Sequence, residues 1–149
     1  RRKHGVIIGQ VTAEDIKIQI GSVYPRPENI SMNVKGRDAK TGMPKVVTLT
    51  SSEIYEVLRR PARQIADEVM TVLEQTSPEL VSDISETGIT LTGGGSLLHN
   101  IDKLISKETG MPVYIAENSL DCVAAGAGEV LDNIDLLREV VSDSERRLG

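Results

Sequence analysis

A β-favouring run, Gly88-Ile89-Thr90-Leu91-Thr92, stops at three consecutive glycines, Gly93-Gly94-Gly95, followed by Ser96. Apolar residues at helical spacing come directly after: Leu97, Leu98, Ile101, Leu104 and Ile105. No other stretch constrains the fold as strongly, because a strand turning through glycine into a helix is the joint of an α/β unit. Residues without a Cβ let backbone N–H groups approach a ligand, and a helix starting there would aim its positive end at the same spot. Two readings stand: a nucleotide-contacting corner, or a tight strand-to-helix turn with no ligand. The run matches neither the Gly-x-Gly-x-x-Gly fingerprint nor the Gly-x-x-x-x-Gly-Lys-Ser/Thr phosphate loop.

The flanking pattern extends the α/β rhythm. Pro78 to Ile84 predicts a short helix, and the segment after the glycines predicts a helix ending at Gly110. Pro112-Val113-Tyr114-Ile115 reads as a short strand, and a last helix is expected from about Ser119 through Ile134, with Asp121 in its first turn. Helix, strand, helix, strand, helix implies a parallel strand pair. Cys122-Val123-Ala124-Ala125-Gly126-Ala127-Gly128 is a helix face of small residues, expected to cross a neighbour tightly, with a hinge role as an added reading. Ser142 onward is a polar tail expected to fray.

The first third lacks this rhythm. Ile30, Met32 and Val34 alternate with polar residues, Gly36 to Gly42 is a polar turn, and Lys45 to Thr50 returns as a second strand, a β-hairpin. Thr12 could cap a helix with Glu14 and Asp15 in its first turn, yet Ile16, Ile18 and Ile20 alternate as in a strand. Both readings stay open for that segment. Ser51-Ser52-Glu53 opens the longest helix, with Ile54, Leu58, Ile65, Val69, Val72 and Leu73 in one stripe. Pro61 is expected to kink or interrupt it after Arg60.

Composition narrows the function classes. The chain has 149 residues, enough for one domain or two small lobes, and carries a net charge of -5. That charge disfavours a nucleic-acid surface, and an aromatic content of 2%, three Tyr without Trp or Phe, removes stacking platforms for single strands. A single cysteine, Cys122, excludes an internal disulfide. Arg1 to His4 reads as the polar end of a preceding helix, and the apolar residues after it are too few for a signal-peptide core.

Few residues offer chemistry by spacing alone. Glu14 and Lys17 sit three apart, on one face if the segment is helical. They suit either a polar clamp on a purine or ribose, or an ordinary surface ion pair, the simpler account. His4 and His99 lack partners at metal-ligand spacing, and Cys122 has no nearby His to activate it. Ser96 follows glycines without a nucleophile elbow. No catalytic base is identifiable.

Four stretches taken together resemble the C-terminal half of the MreB family of bacterial actins. They are Arg1 to His4 with Gly9 to Ser22; Val34 to Asp38 with Thr41 to Lys45; Gly88 to Leu98; and Ala124 to Gly128. The third is shared more loosely across the actin, Hsp70 and sugar-kinase superfamily, and the second is particular to MreB.

The resemblance implies an actin-like (ribonuclease H-like) α/β half-fold. Residues 1–8 would end a helix from an upstream part, and 9–50 would form the small α+β lobe, subdomain IIB, with the hairpin. Residues 51–141 would form the α/β lobe IIA, and 142–149 the tail. It favours helix over strand at Ala13 to Ile20. Gly93, Gly94, Gly95 and Ser96 would line the base, ribose and α-phosphate of ATP, with Glu14 and Lys17 approaching the adenosine from the other lobe. The small-residue helix from Cys122 would be the family's second interdomain connection. Where family members often carry Gly-Glu-Arg, this chain has Gly9-Gln10-Val11, so Gln10 is not assigned a contact. The family's phosphate hairpins, first interdomain helix and catalytic Glu lie upstream of the matched half. ATP hydrolysis with Mg²⁺ would therefore belong to the complete protein and not to these residues alone. The implied role is a cytoplasmic, head-to-tail filament peripheral to the inner face of the cell membrane. It would maintain rod shape by organising wall synthesis with membrane proteins such as RodZ. Membrane contact would run through the N-terminal lobe only. An Hsp70-like or sugar-kinase-like enzyme is the alternative.

Overall fold

The computed structural model describes residues 1–134, so the expected tail at 142–149 lies outside the described residues. The chain runs β1 (Val6–Ile7), α1 (Gln10–Ile20), β2 (Ser31–Asp38), β3 (Pro44–Thr50), α2 (Ser51–Gln75) and α3 (Pro78–Thr87). It continues through β4 (Ile89–Leu91), a 3-10 turn (Gly94–Leu97), α4 (Ile101–Thr109), β5 (Val113–Ile115) and α5 (Cys122–Asp132).

β1, β2 and β3 form an antiparallel sheet in that order, with Val34 opposite Val47. α1 closes one face of it. Ile16 and Ile20, one helical turn apart, are buried against Val34, with Met32, Val47 and Leu49 packed around them. Ile18 is 68% exposed, so the alternating isoleucines belong to a helix whose opposite side faces water. Its N-cap is Gly9 and not Thr12, with no side-chain cap bond, so the helix starts earlier than the capping residue suggested.

Two expectations at this end change. Arg1 to Gly5 closes one α-like turn (Gly5 N–H to Arg1 O, 3.0 Å), but Val6 and Ile7 form a strand against Asp38 and Arg37. Pairing with β1 keeps Arg37 and Asp38 in the sheet and Gly36 pairs with Lys45 of β3, so the hairpin turn is displaced to Ala39–Met43. Gly36 makes this close pairing possible, since a Cβ there would sit 2.7 Å from the Ile7 carbonyl oxygen. Asp38 then organises the turn: its Oδ1 accepts from the N–H groups of Lys40 (2.9 Å) and Thr41 (3.0 Å). Its Oδ2 pairs with Lys45 Nζ at 3.1 Å.

α2 bridges the two halves. Thr50 and Glu53 make a reciprocal capping box at its start, and Ile54 in its first turn packs into the small-sheet cluster. One turn on, Leu58 enters a second core of Val23, Ala62, Ala66, Ile101, Leu104 and Ile105. Ala62 and Ala66 are 2% and 0% exposed, and their small side chains let α4 lie close. The helix runs without a break through Pro61. Proline leaves the carbonyl of Val57 without its helical donor. Val57 and Pro61 both face solvent, where water satisfies that carbonyl.

β4 and β5 pair in parallel, Ile89 opposite Val113, as the α/β rhythm implies. α5 departs from its expected packing. None of its residues is buried, and Cβ atoms built on Gly126 and Gly128 would meet nothing within 4 Å. Among the described residues this small-residue face has no tightly crossing neighbour.

Candidate functional site

The glycine corner is built by three constraints. β4 delivers the chain to Gly93, whose φ of 77° is a left-handed conformation that glycine adopts without strain. The Gly93 N–H donates to the Ser119 carbonyl at 2.6 Å, tying the corner to the segment after β5. Ser96, 4% exposed, turns its hydroxyl back to donate to the Gly93 carbonyl at 2.7 Å. The side chain of Ser96 is thus engaged in closing the turn.

Gly94 and Gly95 remain exposed at the outer edge. A Cβ on Gly95 would meet nothing within 4 Å, and one on Gly94 only Leu120 Cδ2 at 3.4 Å. Their N–H groups open the 3-10 turn, where no preceding turn supplies carbonyl acceptors. The corner is therefore an accessible stretch of backbone without side chains, suited to close approach by a planar or anionic ligand. The long helix does not start at the glycines. Residues 94–97 form the 3-10 turn, and α4 begins only at Ile101, behind Asn100 in the left-handed region with φ 66°. The corner offers backbone donors and space, not the end of α4.

Glu14 and Lys17 lie on α1, with Lys17 Nζ 2.7 Å from Glu14 Oε1 and both side chains about half exposed. α1 packs on the small sheet, whereas Leu91, just before the glycine corner, packs on the second core. Besides α2, the two halves are joined through Ser22, only 1% exposed, directly beyond α1. Its hydroxyl donates to the Tyr24 carbonyl (2.6 Å), lies 3.3 Å from the His99 carbonyl and accepts from Asn100 Nδ2 at 3.3 Å. The Val23 N–H adds a bond to the same His99 carbonyl at 3.1 Å. Ser22, Asn100 and Ser119 are the positioning residues that sequence reasoning passed over. Asn before a helix at a left-handed position is a legible signal; nothing local marks Ser22 or Ser119.

Partial desolvation lowers the pKa of the His99 imidazole although the residue is exposed, and the charges of Arg26 and Lys103 push it the same way. His4, without a partner by spacing, lies with its Nε2 in hydrogen-bond contact with Glu53 Oε1 at 3.1 Å. Three hollows of the surface lie away from the glycines, Glu14 and Lys17. No helix among the described residues is long and apolar enough to cross a membrane.

The fold and this corner define an actin-like α/β protein. Against MreB5 of Spiroplasma citri, solved bound to ADP, the chain superposes with a TM-score of 0.86 at 41% identity, over 93% of this chain and 42% of that one. The same protein bound to AMPPNP gives 0.85. The MreB/Mbl protein family matches residues 1–139, and the chain belongs to that family. It is 52% identical over 136 residues to the cell shape-determining protein MreB of Escherichia coli K12, covering 91% of this chain and 39% of that relative. To the cell shape-determining protein Mbl of Bacillus subtilis it is 43% identical over 137 residues, 92% of this chain and 41% of the relative. The chain thus spans about two fifths of the length of these relatives.

Proposed function

We propose that this chain is the adenosine-contacting and polymer-forming part of an ATP-dependent bacterial actin that sets cell shape. The observation that carries the reading is the open glycine corner, where Gly94 and Gly95 are exposed at the end of a parallel strand with no Cβ to block a ligand. The ADP- and AMPPNP-bound states of the Spiroplasma citri relative support nucleotide binding, and the corner is where this reading puts it. In this reading the backbone of Gly93, Gly94 and Gly95 lies against the ribose and α-phosphate, and Ser96 holds the turn in shape. Glu14 and Lys17 hydrogen-bond the adenosine from the small lobe, residues 9–50, while 51–141 form the larger lobe. The β- and γ-phosphates with Mg²⁺ are held by residues of the family outside this stretch. Head-to-tail stacking of the small lobe on the larger lobe of the next subunit is an open, heterologous contact, which makes filaments. Such a filament lies in the cytoplasm against the inner membrane face and collects wall-synthesis and shape proteins such as RodZ through many weak contacts.

ATP binding to the intact polypeptide that carries these residues tests the reading. Gly94→Val keeps a backbone that any residue adopts and meets only Leu120 at 3.4 Å, so the fold should survive. Calorimetry should show at least about a tenfold loss of ATP affinity, the cost of about 1.4 kcal/mol of blocked contact. Unchanged affinity in a folded variant would remove the glycine corner from the site. Sedimentation with ATP tests polymerisation separately; material that stays in the supernatant counts against the filament.

A further inference from the structure

Two of the chain's three tyrosines, Tyr24 and Tyr55, line one groove away from the glycine corner. It consists of adjoining hollows of about 300 Å³ and 100 Å³ between the loop after α1, the first half of α2, and α4. Four cations line it: Arg26 from the loop, Arg59 and Arg63 one turn apart on α2, and Lys107 on α4. Lys107 Nζ lies 5.5 Å from the centre of the Tyr24 ring, a cation–π distance. Three acids line the same groove, Glu28, Glu56 and Glu108, of which Glu56 is paired to Arg59 at 3.1 Å. In a chain of net charge -5, this lining carries a net charge of one positive unit, four cations against three acids.

Arg26 is held in place by its own loop. Arg26 Nη2 donates to the Gly21 carbonyl at 2.8 Å, but its Nε is buried and has no partner among the described residues. Its Nη2 is thus committed to the loop and its Nε enclosed, and Arg26 brings its charge to the groove from a fixed position. Neighbouring hydroxyls are already engaged: Ser51 and Ser52 both donate to Asn29 Oδ1, at 3.1 and 2.9 Å.

We propose that the Tyr24–Tyr55 groove is a docking site for an acidic, extended polypeptide segment of a partner protein. Its carboxylates meet Arg26, Arg63 and Lys107, and an aromatic or proline side chain rests against the two tyrosine rings. Arg26 lines the larger hollow and Arg59, Arg63 and Lys107 the smaller, so an anion held in either hollow leaves the other unmet, whereas a chain with spaced carboxylates spans both. Aromatic and arginine side chains are also the groups that anchor protein interfaces. The site is independent of the nucleotide corner.

The test uses the intact polypeptide on an array of synthetic peptides graded in net charge, each with and without one tyrosine. Binding should rise with acidic content, rise again with tyrosine, and weaken with added salt. The double variant Arg59→Glu, Arg63→Glu changes two exposed residues and should lower affinity for the acidic peptides by about tenfold or more. Thermal unfolding checks that it folds, and Lys107→Glu serves as a second variant on another element. Binding indifferent to peptide charge, or unaltered in both folded variants, overturns the proposal. So does full displacement of the peptides by equimolar inorganic phosphate, which would make the groove a small-anion site.

Discussion

Asn100 Nδ2 donates to Ser22 Oγ at 3.3 Å across 78 residues of sequence, fastening the end of α1 to the start of α4. Asn100 holds φ 66°, so it combines a left-handed backbone with a partly buried bond. The two roles separate by substitution. Asn100→Gly keeps the backbone free of strain and loses the hydrogen bond, a cost of about 0.5–1.5 kcal/mol. Asn100→Ala loses the bond and adds about 1 kcal/mol of left-handed strain. Urea unfolding of both should rank alanine below glycine; equal midpoints would mean that the backbone conformation carries no cost.

The isoleucines of α1 give a sharper contrast. Ile16 and Ile20 are 5% and 2% exposed, whereas Ile18 is 68% exposed. Ile16→Ala should cost about 2–5 kcal/mol and Ile18→Ala no more than about 0.5 kcal/mol. A strand in this segment would place all three on one face and make the losses alike. Unfolding midpoints of the two single variants decide between these patterns.

That segment also shows what sequence could and could not reveal. Alternating β-branched residues left helix and strand equally open, and only the sheet that buries Ile16 and Ile20 settles it. The α/β rhythm from α3 to α5 and the glycine corner were legible because glycine, proline and apolar period act locally. The hairpin turn was misplaced because Arg37 and Asp38 are held by β1, a strand too short to announce itself. The start of α4 was misplaced because Leu97 and Leu98 keep helical spacing while Asn100, left-handed, caps the helix that follows. At the site, the glycines could be read directly. Ser22 and Ser119 could not, because their roles are hydrogen bonds to residues distant in sequence.

Acid sensitivity should rest on two carboxylates, Glu53 and Asp38. Lys3 Nζ lies 2.5 Å from the Glu53 carboxylate, the Thr50 N–H donates at 3.0 Å, and His4 adds a contact at 3.1 Å. Lys3 first, then Thr50, lower its pKa from 4.5 to about 2. The folded carboxyl takes a proton less readily than the unfolded one. Its stabilisation is therefore fully present above pH 4.5 and is lost as pH falls toward about 2. Glu53→Gln should be less stable at neutral pH and should flatten the fall of the urea midpoint across that window. Asp38, held well below the usual carboxylate range by the Thr41 and Lys40 N–H groups, contributes a slope of comparable size that extends to lower pH and remains in the variant. An identical slope in wild type and Glu53→Gln would show that the Lys3 pair does not form in solution.

Pro61 carries the last prediction. Within α2 it supplies no N–H to the Val57 carbonyl, and its ring crowds that carbonyl, yet the helix continues from Ser51 to Gln75. The next residue, Ala62, is 2% exposed and packs in the core with α4, so tertiary packing holds the helix across a position that propensity opposes. In an isolated helix, proline to alanine gains about 3 kcal/mol. Here the gain is smaller, because alanine also restores about 0.4–1 kcal/mol of unfolded-chain entropy and water already satisfies the exposed carbonyl. Pro61→Ala should therefore stabilise by about 1–2 kcal/mol, seen as a raised thermal midpoint. A lowered midpoint would mean that Pro61 imposes a bend on which the packing of Ala62 and Ala66 against α4 relies.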